Sequence, residues 1–182
     1  GTFTAPSGTL NVAGNFTNNA AVTHNDGTIN FNGTSAFTPG ASACNTIILD
    51  GTSLTLAGNL DVNSDLTITA GTLDVSSSNY NITCAGNWSN SGTFTAQNGK
   101  VTFDGSNCQY GGSSTTTFYA VEIPVSSNLT VPTGKTLNAT NFTIKSSSPS
   151  NSGNLVVQGT GAVNVSGNAV CERYIAYPAN RW

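Results

Sequence analysis

Eight carboxylates, five Lys and Arg, one His and four Cys are the side chains of this 182-residue chain suited to proton transfer, metal ligation or nucleophilic attack. Glycoside hydrolysis needs two carboxylates at a set separation across the sugar. The acids available for it are Asp50, Asp61, Asp65, Asp74, Asp104 and Glu122. Asp61 and Asp65 stand closest together, the first mid-strand in an alternating run and the second in the turn after it. There is no Asp-Asp pair and no Gly-His-Gly. His24 has no partner at nucleophile or metal-ligand spacing. Asp26, Asp50 and Asp104 in Gly turns are hard oxygen donors of the kind calcium takes. The Gly-Gly-x-Gly-x-Asp nonapeptide of calcium β-rolls is nevertheless absent. Solvated strand faces and turn caps account for these acids. The expectation is a non-enzymatic chain with no catalytic residue, no cofactor and no metal site.

The rest of the composition narrows the role further. Thr, Asn, Ser and Gly make up 92 of the 182 residues, and the formal net charge is -3. Five basic residues cannot build the stripe that a nucleic-acid binder needs. No run of about 20 apolar residues exists to span a membrane. Hydrophobic residues are 37% of the chain and alternate with polar ones, which argues against a disordered Ser/Thr/Asn tract. From the absence of Met, Gly1 is expected to be a processed end or to lie inside a longer precursor.

The elements that must position these side chains are strands. Period-2 alternation recurs in Thr9-Leu10-Asn11-Val12, Thr28-Ile29-Asn30-Phe31, Leu54-Thr55-Leu56, Leu60-Asp61-Val62 and Leu66-Thr67-Ile68. It continues in Leu73-Asp74-Val75, Val101-Thr102-Phe103, Leu129-Thr130-Val131, Phe142-Thr143-Ile144 and Val163-Asn164-Val165. Each reads as a short strand with one apolar face. Asp26-Gly27, Asn32-Gly33, Asp50-Gly51, Asn98-Gly99 and Asp104-Gly105 stand between runs and are expected to supply positive-φ turns. No amphipathic helix pattern is present, so the chain is all-β.

The strands repeat. Ala13-Gly14-Asn15-Phe16-Thr17-Asn18 returns at an offset of 72 as Ala85-Gly86-Asn87-Trp88-Ser89-Asn90, without a gap through Ser35 and Asn107. Such repeats favour a single-domain β-solenoid, in a right-handed parallel β-helix, over the irregular β-sandwich that also fits. An offset of 72 divides into three coils of 24 or four of 18. Seven to nine coils would be about 35–45 Å long at about 4.8 Å per coil. Low charge suits such stacking, and Asn side chains can hydrogen-bond along it. Phe16, Phe31, Trp88, Phe103 and Phe118 are the expected large core fillers, and Cys44 an inward thiol. Cys108 follows Cys84 at an offset of 24. On the three-coil division they stack within disulfide range, so a bridge between them is expected.

Thr-x-Thr triplets at Thr2, Thr67, Thr93 and Thr115 raise ice binding, a minor alternative, but no regular one-per-coil ladder emerges from their spacing. Tyr80, Tyr110, Tyr119, Tyr174 and Trp182 are the aromatics not clearly inward. They form no visible strip for a carbohydrate-binding or carbohydrate-active β-helix, the main alternative function.

Two segments carry a family resemblance. Gly8 to Thr34, its copy from Ala85 to Ser106, and the Ser113–Tyr119 run resemble repeats of large secreted bacterial surface proteins, adhesin-like and filamentous-haemagglutinin-like β-helices familiar from the Bacteroidota. Val170-Cys171-Glu172-Arg173-Tyr174-Ile175 with Asn180-Arg181-Trp182 resembles the segment that follows β-helical repeats in type IX-secreted proteins. Position 171 departs from that pattern in being Cys. The resemblance implies export, an extracellular or cell-surface site, and a fibrous or adhesive role. It supplies no catalytic residues. The expected organisation is solenoid repeats over 1–169 and a following segment or cap over 170–182. Neighbouring β-domains, or copies of the chain in a head-to-tail filament, are the expected partners, with surface glycans as a further class.

Overall fold

A computed structural model describes residues 3–148 and 150–172. It is an all-β solenoid. Nearly every strand pairs in parallel with its counterpart one coil away, and three stacked sheets form the walls. The first sheet has eight strands, from Thr9–Val12 to Asn154–Val157. Eight strands define seven coil-to-coil steps, about 34 Å at about 4.8 Å each. The second sheet has five strands, from Phe16–Thr17 to Thr93–Thr95, and the third climbs from Leu60–Val62 to Ala162–Val165. A short hairpin, Ser146–Ser148 with Asn151–Ser152, is the one antiparallel pairing among the described residues.

Alternation explains the core. In the strands of the three walls, short of the last coils, the apolar residue turns inward and the Thr, Asn or Asp beside it turns out, as the pleat requires. Along the first sheet Leu10, Ile29, Ile47, Leu66, Trp88 and Tyr110 stand in one inward column. Phe31, Trp88, Phe103 and Phe118 are fully buried, whereas Phe16 is half-buried near the open end. Phe37 is an additional buried filler, stacked on Phe16 at 5.5 Å. Trp88 meets Phe118 edge-on at 5.1 Å. Burying side chains of this size contributes about 1.5–3 kcal/mol each.

The coils are shorter than the three-coil division of the repeat requires. Successive members of that inward column are separated in sequence by 19, 18, 19, 22 and 22. The long repeat therefore does not close on itself. Thr9–Val12 lies in the first sheet, but its copy falls on Ile82–Cys84 in the third. Phe16 lies in the second sheet, and its copy Trp88 in the first. Counting the isolated Cys44 bridge as a strand position, the two copies are eleven positions apart. Eleven over three faces is three and two-thirds coils, so the repeated unit is one strand and its corner rather than a whole coil.

The corners hold two devices. None of the five turn glycines named above has positive φ; of their dipeptides Asp26-Gly27 carries it, at Asp26, and otherwise it falls elsewhere, at Asn25 and Gln97 for instance. What the corner demands is close approach. A Cβ on Gly33 would overlap the Ala13 carbonyl, one on Gly51 the Gly33 backbone, and one on Gly71 the Gly51 carbonyl. Asparagine supplies the second device. Asn59 Oδ1 accepts the Asn81 N–H at 2.9 Å, and Asn81 Oδ1 accepts the Lys100 N–H at 2.9 Å. Asp65 and Asn87 relay in the same way to Asn87 and Gln109, at 2.7 and 3.0 Å. These side chains satisfy N–H groups at and just before the starts of strands in the next coil. Amide-to-amide bonding, the expected ladder, is confined to Asn11 with Asn30 and Asn138 with Asn164 among the described residues.

The second sheet stops after Thr93–Thr95. At that coil the first sheet's inward column of Leu49 and Ile68 passes to Asn90, which is fully buried. Asn90 Nδ2 donates to Thr116 Oγ1 at 2.9 Å, and its Oδ1 accepts the Gly92 N–H at 3.0 Å. This satisfied polar pair pins the segment that replaces a strand. At the far end Ala169–Cys171 pairs in parallel with Thr136–Ile144. Solenoid pairing thus runs beyond residue 169, and the rest of the 170–182 segment, from 173 on, lies outside the described residues.

Candidate functional site

The six candidate acids are spread round the solenoid. Asp61 and Glu122 share an outward column of the third sheet with Thr83 and Thr102 between them. Three coil steps separate them by about 14 Å, beyond the roughly 5–9.5 Å over which a carboxylate pair cleaves a glycoside. Glu122 instead pairs with Lys100 at 3.1 Å. Asp74 faces out from the second sheet and accepts the Ser76 N–H at 2.8 Å. Asp65 and Asp104 lie at corners, and Asp50 at the turn that follows Thr46–Leu49. Asp104 is pushed above its ordinary value by desolvation and the Asp61 charge, against a hydrogen bond to its own backbone. The closest pair in sequence, Asp61 and Asp65, is split between a sheet face and a corner.

His24 is tied into a corner. Its Nδ1 accepts the Asp26 N–H at 3.0 Å, and Nε2 lies 3.2 Å from the Asn63 amide. Both ring nitrogens thus face groups of this chain.

The cysteines are placed differently from the expected stack. Cys84 stands opposite Val62 and Phe103 in the third sheet, whereas Cys108 stands opposite Leu129 in the first. Ile82 pairs with Val101, so one coil at this height advances the chain by 19, and an offset of 24 carries Cys108 round the corner. Both thiols are free, with Cys108 Sγ 3.7 Å from the Cys84 carbonyl oxygen. Cys44 is inward and fully buried. Burial pushes the Cys44 and Cys84 thiols up to about 12, which makes them inert small hydrophobes at neutral pH.

Tyr110 is core rather than surface. It is 3% exposed, and its hydroxyl donates to the Thr136 carbonyl at 3.1 Å. Tyr80 is half-buried against the core, Tyr119 is exposed, and Tyr174 and Trp182 lie outside the described residues. Where the second sheet stops, a polar groove of about 190 Å³ opens between Tyr110, Gly112, Ser113, Thr115, Lys135 and Thr136. The Lys135 ammonium spans it to donate to the Gly112 carbonyl at 2.7 Å.

Two surfaces remain with unmet bonding capacity. One is the pair of solenoid ends. Thr9–Val12 and Asn154–Val157 each pair on one side only among the described residues, and Val156, Val157 and Val170 are 40%, 44% and 48% exposed. The other is the outer face of the second sheet. There Thr34, Ser53, Thr72 and Thr93 form one column, and Ala36, Thr55, Asp74 and Thr95 the next. The sequence triplets do not show this array. Thr2 lies outside the described residues, Thr67 lies on the first sheet and Thr115 lies between sheets, so among the described triplets only Thr93-Phe94-Thr95 belongs to it. The successive offsets of 19, 19 and 21 from Thr34 to Ser53, Thr72 and Thr93 are the signal that would have revealed it. Comparison with protein-family models, with curated proteins and with solved structures finds no match.

Proposed function

We propose that the chain is a non-enzymatic structural and adhesive segment of a secreted or cell-surface fibre protein, working outside a bacterial cell. The observation that carries this reading is the pair of open parallel edges at the ends of the stack, with apolar side chains uncovered on the last coils. An unpaired strand edge is a template for another chain. Its natural occupant is a further β-domain or a second copy placed head to tail, and repetition of that contact gives a filament. The dispersal of the acids over two sheet faces and several corners supports a role without catalysis. The resemblance of the repeats to exported surface proteins supports the location.

Light scattering and electron microscopy over a range of concentrations test the end-to-end contact. Assembly should grow with concentration and be suppressed by Val157→Lys with Val170→Lys. A monodisperse monomer at high concentration would overturn it. Glycan-array hits lost on mutating Tyr119 would replace it with carbohydrate binding.

A further inference from the structure

We propose that the outer face of the second sheet binds ice. The face combines four properties that no other surface of the described residues combines. First, it is a two-dimensional array. Its two outward columns are in register over four consecutive coils, with hydroxyls at six of the eight positions: Thr34, Ser53, Thr55, Thr72, Thr93 and Thr95. Backbone geometry sets the grid at about 4.8 Å between coils and about 6.6 Å along each strand. Those repeats are of the order of oxygen spacings in the ice lattice.

Second, the hydroxyls have no hydrogen-bond partner among the described residues. On this face Asn15 Oδ1 accepts the Ala36 N–H, and Asp74 Oδ1 accepts the Ser76 N–H and the Gln97 amide. The six hydroxyls take no part in them. Third, the array is rigid. Leu54, Leu56 and Leu73 are buried behind it, and the corner beside it is closed by the Gly33, Gly51 and Gly71 contacts. Fourth, the array holds no Lys, no Arg and no aromatic ring, and its one charge is Asp74. On the first sheet Thr9, Thr28 and Thr46 form one outward column, but the next is Asn11, Asn30 and Ile48 with no hydroxyl, and the third sheet carries the Lys100–Glu122 pair.

A soluble small molecule would touch two or three of these positions and leave the rest unused. Only a ligand that is itself periodic meets them all. Sugar polymers are gripped by aromatic platforms, which are absent here. Ordered water needs none: hydroxyls hold it at fixed points while threonine methyl groups fill the gaps between. Asp74 is the flaw in the pattern, because a carboxylate organises its own hydration shell.

The test is partition of the full chain between a slowly growing ice hemisphere and the remaining liquid. The protein should be enriched in the ice. Thr55→Tyr and Thr72→Tyr, which raise bulk in the middle of the face, should abolish the enrichment. Thr102→Tyr, outward on the third sheet, should retain it. Asp74→Thr should increase it, and since it adds no bulk it keeps the test decisive if a tyrosine unsettles the sheet. Exclusion of the unmutated chain from ice overturns the proposal, as does equal behaviour of Thr55→Tyr and Thr102→Tyr. Retention on crystalline cellulose that Thr55→Tyr removes, without ice enrichment, overturns it in favour of a polysaccharide. The end-to-end contact is unaffected by any of these outcomes, because the face runs along the axis.

Discussion

Gly14 and Gly86 occupy the same place in the two copies of Ala-Gly-Asn, so a rule drawn from the repeat alone would treat them alike. Their surroundings differ in one respect, whether a coil lies beneath. A Cβ added to Gly86 would stand 2.5 Å from Asp65 Oδ1 and 2.5 Å from the Ser64 carbonyl carbon and oxygen. A Cβ added to Gly14, on the first coil, meets nothing within 4 Å. Neither residue has positive φ, so backbone strain is equal and absent. Forcing a methyl against fixed backbone costs about 1–3 kcal/mol. If Asp65 swings aside, the bond to the Asn87 N–H is also lost, adding about 1.5 kcal/mol. Gly86→Ala should therefore destabilise by about 2–4 kcal/mol. At this chain length each kcal/mol lowers the melting temperature by about 2–4 °C. Gly14→Ala should stabilise by about 0.4–1 kcal/mol, because alanine restricts the unfolded chain at no cost to the fold. Urea unfolding of the two variants at unchanged slope measures both values. A neutral Gly86→Ala, or a Gly14→Ala equally damaging, would refute the stacking of Gly86 on Ser64.

The thiols give a second prediction. In native protein a soluble alkylating reagent should modify Cys171 and spare Cys44, Cys84 and Cys108; in denaturant all four should react, by intact mass. Thiols left untouched in denaturant without reductant would reveal disulfides and overturn it. Because the folded values of Cys44 and Cys84 are raised, their contribution to stability is complete below the ordinary thiol value of 9.0 and falls as pH rises towards 12. The slope should be about 1.4 kcal/mol per pH unit for each thiol, read as melting temperature against pH and flattened by Cys84→Ala. Asn81 tests the corner relay: Asn81→Ala should cost about 1 kcal/mol by orphaning the Lys100 N–H, and Asn81→Asp, which keeps the acceptor, should cost less. Equal losses for the two would assign the effect to something other than that bond.

Strands, their inward faces and the all-β class are legible along the chain, because the two-residue period of an extended backbone is local. Leu54-Thr55-Leu56 and Leu60-Asp61-Val62 reveal their buried sides without knowledge of any neighbour, and both are buried as read. Parallel stacking follows from repetition of such units. The coil length does not follow, since it depends on how much chain each corner takes, and corners are held by contacts from another coil. Gly33 is glycine because of Ala13, and Asn59 is asparagine because of the Asn81 N–H. With three nearly equivalent walls, a strand-and-corner unit can recur on any of them, so the long repeat moved each strand to a different face. A residue's face is thus a sum of every corner before it, and an error of a few positions carries a side chain round the edge. That is why Cys84 and Cys108 part company, and why Thr34, Ser53, Thr72 and Thr93, which share no common triplet, come to stand in one line. The sequence by itself determined that side chains alternate in and out; the tertiary structure alone decided which of the outward ones meet.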